Sequence, residues 1–145
     1  MSRTERTVNA PLQKVFDVLS DGWSYANWVV GTAHIRDVDL EWPAAGSKLH
    51  HTVGIWPLTR NHETEVLDCE PPVRLAMKPK LWPLGELTAV FTLIEQSSSA
   101  TQVVLVEEFS DGPALALRNK INDVLMHARN REALRRLADL AEHRP

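Results

Sequence analysis

The sequence predicts an α+β fold, a curved antiparallel sheet closed by a long C-terminal helix. Three observations carry this expectation. Helical periodicity is confined to the two ends of the chain. Between residues 31 and 109 the chain breaks into short β-rich runs separated by Pro, Gly and Ser. Residues 114–142 then run without Gly or Pro, which suits one long helix.

Residues 3–8 alternate and read as a first strand. Asn9-Ala10-Pro11 reads as a helix start, with Asn9 or Ala10 near the cap and Pro11 near the first helical position. Leu12, Val15, Phe16 and Leu19 follow at i, i+3, i+4 and i+7, one buried helical stripe. Asp21-Gly22 ends that helix, and residues 23–28 form a second short one. The breaks Trp42-Pro43-Ala44-Ala45-Gly46, Trp56-Pro57, Glu70-Pro71-Pro72, Trp82-Pro83-Leu84-Gly85 and Gln96-Ser97-Ser98-Ser99 delimit strands at 33–40, 48–55, 59–67, 73–78, 86–94 and 101–109. Short connections between successive strands imply antiparallel hairpins. Asp111-Gly112-Pro113 stands at the start of the long helix, where an acid suits the positive end of the helix dipole. Leu117, Ile121, Val124, Leu125 and Ala128 form one apolar stripe on it, and Leu134, Leu137, Ala138 and Leu140 or Ala141 form another. The two stripes point in different directions. The helix is therefore expected to bend near Arg129-Asn130 or to pack its halves on different surfaces; burial on two sides is the simpler alternative.

A chain of 145 residues has the size of one domain, expected to span 1–145. Hydrophobic residues at 43% and charged residues at 24% are the proportions of a globular protein rather than a disordered one. A net charge of -3 argues against a general nucleic-acid binder. The single cysteine, Cys69, rules out an internal disulfide framework and reads as an ordinary buried or half-buried thiol. The polar N-terminus lacks the apolar core of a signal peptide, and no apolar run is long enough to span a membrane, so the cytoplasm is the expected location. There is neither a Gly-rich phosphate loop nor a Gly-x-Ser-x-Gly elbow, and no cofactor is expected.

Several segments carry a resemblance. They are Val8-Asn9-Ala10-Pro11 followed by Val15-Phe16-Asp17-Val18-Leu19; Trp28-Val29-Val30-Gly31; Trp42-Pro43-Ala44-Ala45-Gly46-Ser47; Glu70-Pro71-Pro72-Val73-Arg74-Leu75; and Thr101-Gln102-Val103-Val104-Leu105-Val106-Glu107-Glu108. With this order of elements the chain resembles the Bet v 1/START-like (SRPBCC) superfamily, in particular its bacterial polyketide cyclase/dehydrase-like branch. The resemblance implies a helix-grip fold over nearly the whole chain: a seven-stranded sheet wrapped around the C-terminal helix, two short helices after the first strand, and a deep cavity between sheet and helix. It implies binding of small hydrophobic molecules. It carries no shared catalytic motif, and fold alone does not assign function.

Alternate residues of a strand face the same side. In 48–55 the apolar set Leu49, Val53 and Ile55 shares its face with His51, while His50 points the other way. Adjacent strand residues make poor joint metal ligands. His34, His50, His62 and Glu63 match no compact zinc spacing, so no metal is expected. In 101–109 Val103, Leu105 and Phe109 share a face with Glu107, and the resemblance places that face on the cavity. A carboxylate desolvated there would have a raised pKa, suited to acid/base work. Glu107 and His51 are the candidate catalytic pair. The alternatives are that His51 is exposed or hydrogen-bonded in the core, and that Glu107 or Glu108 pairs with an Arg or caps the turn before the helix. Arg36, His62, Glu63 and Glu65 read as the solvated face, with His34 outward. The candidate ligand-binding residues are Trp28, Leu49, Trp56, Trp82, Phe91, Leu105, Leu117, Ile121 and Leu125. Each Trp near a strand end, Trp42 included, supplies a pocket rim or a plug sealing the sheet.

Three functions fit these readings. The first is a binding module for a small lipid-like, aromatic or polyketide-like molecule. The second is an enzyme of the cyclase/dehydratase kind using Glu107 and His51. The third is an interaction protein whose cavity is filled. A homodimer is compatible with all three.

Overall fold

A computed structural model describes residues 2–55, 58–81, 85–111 and 120–144. The elements are β1 (Ser2–Val8), α1 (Leu12–Ser20), a 3-10 turn (Gly22–Ser24), α2 (Tyr25–Trp28), β2 (Thr32–Val38), β3 (Lys48–Ile55), β4 (Leu58–Glu70), β5 (Arg74–Lys78), β6 (Lys80–Leu81), β7 (Gly85–Ser97), β8 (Ala100–Asp111) and α3 (Lys120–His143). Seven strands follow one another across a curved antiparallel sheet in the order β1-β8-β7-β5-β4-β3-β2, and the two-residue β6 pairs with β7. This is the helix-grip arrangement that the resemblance implies.

Local chemistry accounts for the boundaries. α1 starts one residue later than its sequence suggests. Pro11 is the N-cap, with φ -61° and ψ 151°, rather than the first helical residue. Its carbonyl accepts from the Lys14 and Val15 amides at 3.0 and 3.2 Å, so the first turn is closed without a side-chain cap. Val15, Phe16, Val18 and Leu19 bury the predicted stripe. Gly22 follows where α1 approaches the sheet. A Cβ there would stand 2.8 Å from both Leu49 Cδ1 and Val38 Cγ1, closer than real carbon contacts allow. Strands β4 and β7 outrun their apolar patterns, because backbone pairing continues to the turns: β7 ends at Ser97 and β8 resumes at Ala100.

Strict alternation holds in β7, where Leu87, Ala89, Phe91 and Leu93 are buried. It fails in β2. Two register shifts against β3, between Thr32 and His34 and between Ile35 and Asp37, each add an unpaired residue. Burial there returns every third residue, at Thr32, Ile35 and Val38.

The long helix corrects the two-stripe reading. Among the described residues its buried ones are Met126, Asn130, Ala133, Leu134, Leu137, Ala138 and Ala141, one face at 3.6 residues per turn. The described members of the first predicted stripe are not part of it, and Leu117 and the side chain of Ile121 fall outside the described residues. Val124 and Leu125 are 67% and 62% exposed, and Ala128 is exposed as well. The true face is hard to see in the sequence because Asn130, a polar residue, sits in its middle with 0% exposure. α3 packs on β1, α1 and α2. The inner face of the sheet, α1, α2 and α3 share one apolar cluster that includes Leu75, Leu105 and Leu137. Among the described residues, no helix is long and apolar enough to cross a membrane.

Candidate functional site

A cavity opens between the inner face of the sheet, the end of α2 and the middle of α3. The wall is mainly apolar: Trp28, Leu49, Val53, Met77, Ala89, Phe91, Leu105 and Ala133. Its unfilled space, counted out through the mouth, is about 600 Å³. The interior is narrow, with about 50 Å³ open to the centre of a water-sized sphere. An aromatic row leads into it. Trp42 meets Tyr25 edge-on at 5.5 Å, Tyr25 meets Trp28 at 4.7 Å, and Trp28 meets Phe91 edge-on at 5.7 Å. The Tyr25 hydroxyl donates to the Leu19 carbonyl at 2.7 Å, and burial pushes its pKa well up. Tyr25 therefore fixes α2 against α1. Trp42 does not line the cavity and acts as a plug behind Tyr25.

Two polar groups interrupt the apolar wall. The first is an ion pair at the join of β8, α3 and the segment after α2. Glu107 is 3% exposed and accepts from Arg129 Nη1 at 3.1 Å (Oε1) and 3.4 Å (Oε2). Arg129 Nη1 also donates to Asn130 Oδ1 at 3.0 Å, and Arg129 Nε donates to the Val30 carbonyl at 2.9 Å. Asn130 Nδ2 reaches Ser2 Oγ at 3.4 Å. Burial raises the Glu107 pKa, opposed by the Arg129 charge and by hydrogen bonds from Asn130 and Arg129. The carboxylate is thus already engaged and is not a free base.

The second polar group is His51. It is buried, and its Nε2 lies 2.8 Å from Thr64 Oγ1, while Nδ1 has no partner. Burial, helped by the nearby His62, Arg36 and His50, pushes its pKa down to about 4. At neutral pH the ring is uncharged. Its tautomer follows from satisfiability. Among the described residues the Thr64 hydroxyl has no partner but this ring, so it donates to Nε2, and the ring proton then sits on Nδ1. The reverse choice would leave both the hydroxyl proton and the Nδ1 lone pair unused.

Six predicted site residues, Glu107, His51, Trp28, Leu49, Phe91 and Leu105, line this one cavity. Glu107 and His51 bond to different partners and not to each other. Leu125 does not line it, because it lies on the exposed side of α3. Trp56, Trp82 and Leu117 fall outside the described residues, as does the side chain of Ile121. The sequence reading missed Arg129, Asn130, Thr64 and Tyr25. The signal for the first two was present: a polar pair interrupting the helix face where the stripes were thought to diverge.

Outside the cavity, His50 faces outward as alternation requires, 3.0 Å from Asp39 and 3.5 Å from Glu63. His34 is exposed too. Among the described residues no cluster of three or more His, Cys, Asp or Glu side chains is arranged for a metal ion. Cys69 is half-buried, and burial, with Asp68 nearby, pushes its thiol pKa up, away from a reactive thiolate.

A family model described as polyketide cyclase / dehydrase and lipid transport matches residues 2–142. A search of curated proteins gave no match. Among solved structures, the chain is similar to the Zhui aromatase/cyclase of a Streptomyces species, at 17% identity and a TM-score of 0.72, covering 98% of this chain and 93% of that one. It is similar to a conserved protein of Geobacillus kaustophilus, at 13% identity and a TM-score of 0.75, covering 97% and 93%. It is also similar to the di-domain ARO/CYC StfQ of the steffimycin biosynthetic pathway, at 19% identity and a TM-score of 0.72, where 98% of this chain covers 44% of that protein. At these identities the likenesses show the fold.

Proposed function

The chain belongs to the polyketide cyclase/dehydrase and lipid transport family, and on that premise we propose that it binds one small hydrophobic molecule, lipid-like or aromatic, in the cavity between sheet and α3. The observation that carries this reading is the cavity's apolar wall, in which the one carboxylate among the described residues is already held by Arg129. A site built to capture an apolar body needs this wall. A site built for proton abstraction needs a base free to reach substrate, and here the carboxylate is paired and the His51 pKa is lowered to about 4. Burying apolar surface there would contribute roughly 25 cal/mol per Å² removed from water.

A second reading, a cyclase/dehydratase-like enzyme, is favoured by His51 alone. Its neutral ring and unpartnered Nδ1 could polarise a substrate carbonyl. Glu107 could act as base only after parting from Arg129.

Titration of intrinsic tryptophan fluorescence tests the binding reading, since Trp28 forms part of the wall. Saturable quenching or a blue shift with an aromatic polyketide, a flavonoid, a sterol or a fatty acid is expected. Silence across all four classes would sink it. Glu107→Gln, followed for both binding and turnover, separates the two readings: a carrier keeps its affinity and has no turnover to lose, whereas a cyclase loses turnover.

A further inference from the structure

We infer that the groove between β1 and α3, on the other side of the helix from the cavity, is a second binding site, and that it takes a dianionic terminal phosphate between Arg6 and Arg131.

The sheet ends at β1, and α3 packs on that strand. Strand and helix leave a groove between them. Glu5 and Arg6 line its β1 side, Arg131, Glu132 and Arg135 line its α3 side, and Thr4 lies at its floor. About 430 Å³ of the groove is open to the centre of a water-sized sphere, against about 50 Å³ in the cavity. A small ligand therefore enters it without displacing a side chain. Arg131 and Arg135 stand one turn apart on α3, turned away from Arg129, Asn130 and Ala133 in the cavity wall. Among the described residues none lines both sites.

The charges of the groove are not balanced. Its two carboxylates are already engaged. Glu5 accepts from Arg3 Nε at 2.8 Å and from Gln102 Nε2 at 3.1 Å. Glu132 accepts from Arg135 Nη2 at 2.8 Å and from Arg136 Nε at 3.0 Å. Arg135 also donates to Asp139 at 3.0 Å. Arg6 and Arg131 are exposed and meet no carboxylate among the described residues, so both guanidinia are free to turn into the groove. The uncommitted side chains that line it are thus two arginines and Thr4, which is 3% exposed and whose hydroxyl has no partner. None of the three is an anion. The groove is a positive spot on a chain whose net charge is -3, and it attracts anions and repels metal cations.

The kind of anion follows from the two free arginines. A guanidinium presents paired N–H groups that match two oxygens. A carboxylate has one charge and one pair of oxygens, enough for a single arginine. A phosphate monoester carries nearly two charges and three terminal oxygens above about pH 6, enough for both.

Calorimetric titration of the full chain at about pH 7.5, where the monoester is dianionic, in low salt free of phosphate and sulfate, tests this with glycerol 3-phosphate, glycerate and glycerol. The three share a polar body that the apolar cavity does not favour. Glycerol 3-phosphate should bind at least about ten-fold tighter than glycerate, and glycerol should give no measurable heat. Arg6→Gln and Arg131→Gln should each weaken the phosphate about five-fold or more, whereas Lys14→Gln, which removes the same charge from α1, should leave it within about two-fold. Both arginines are exposed and unpaired among the described residues, so neither change should unsettle the fold. Sedimentation with phosphatidylcholine vesicles containing phosphatidic acid separates the two sources of such a group. Sedimentation that glycerol 3-phosphate abolishes assigns the groove to a lipid headgroup; binding of the soluble ester alone assigns it to a free phosphate ester. No binding of glycerol 3-phosphate overturns the inference. So does glycerate binding as tightly, or an affinity no more sensitive to Arg6→Gln and Arg131→Gln than to Lys14→Gln. Each of these outcomes leaves the reading of the cavity standing.

Discussion

Arg129→Met should destabilise the fold by about 3–5 kcal/mol in urea denaturation at neutral pH. The substitution keeps an apolar side chain of similar reach on α3 but leaves the Glu107 carboxylate, 3% exposed, without its counter-charge. It also frees the Val30 carbonyl and the Asn130 Oδ1 that the guanidinium now satisfies. The cause is the uncompensated charge rather than the lost contact. The double variant Glu107→Gln/Arg129→Met should therefore recover most of the loss, since an amide carries no charge to desolvate. Arg135 gives the comparison. It pairs with Glu132 and Asp139 but is half exposed, and Arg135→Met should leave the denaturation midpoint almost unchanged. A loss at Arg129 as small as that at Arg135 would mean that water reaches the Glu107 pair.

The second large effect is a dependence on acid. The His51 pKa is lowered from 6.5 to about 4 in the folded chain. Below 6.5 the unfolded chain takes up a proton that the folded chain refuses until about 4. Stability rises with pH wherever the unfolded state holds more protons. The contribution of His51 is thus fully present above 6.5 and lost as pH falls towards 4, about 3 kcal/mol in all. Glu107 acts with the opposite sign. Its folded pKa is raised, so its contribution is largest in acid and fades as pH rises above the ordinary carboxylate range. The two partly cancel, and wild-type stability alone cannot isolate either. The difference between wild type and His51→Gln, followed by urea denaturation from pH 6.5 down to 4, removes the Glu107 part. The wild type should lose about 3 kcal/mol more than the variant over that range. Parallel curves would show that the His51 ring is solvated in the folded protein.

Much of the architecture was legible in the sequence because the signals were local. Pro11 and the apolar positions of α1 mark a helix whatever surrounds it. The Trp-Pro, Pro-Pro and triple-serine breaks mark turns. Strand alternation put His51 on the inner face and His50 on the outer one, whereas both parities of 101–109 are apolar and the resemblance, not alternation, put Glu107 on the cavity side. Alternation failed in β2, whose two bulges depend on its register with β3, which no single segment encodes, and in β5, where Leu75, Ala76 and Met77 are all buried. The α3 face was misread for a related reason. Apolarity was taken as the mark of burial, but the middle of that face is Asn130, which is tolerable there because Arg129 and Ser2 satisfy it. Leu125 looked like a cavity residue from its apolar stripe, yet lies on the exposed side of α3. Glu107 was found and its partner was not, since the Arg129 contact joins residues 22 apart in sequence and requires the helix to lie across β8. Pairing with an Arg was the alternative weighed for that carboxylate, and the structure adopts it.

The most direct measurement of cavity binding is the affinity of an aromatic ligand for wild type and for Ala133→Phe. Ala133 is a small buried residue of α3 in the cavity wall, and a phenyl ring there fills the space a ligand would occupy. For a variant that still unfolds cooperatively, the binding account predicts at least about a ten-fold loss of affinity. Undiminished binding would place the ligand elsewhere on the protein and contradict the account.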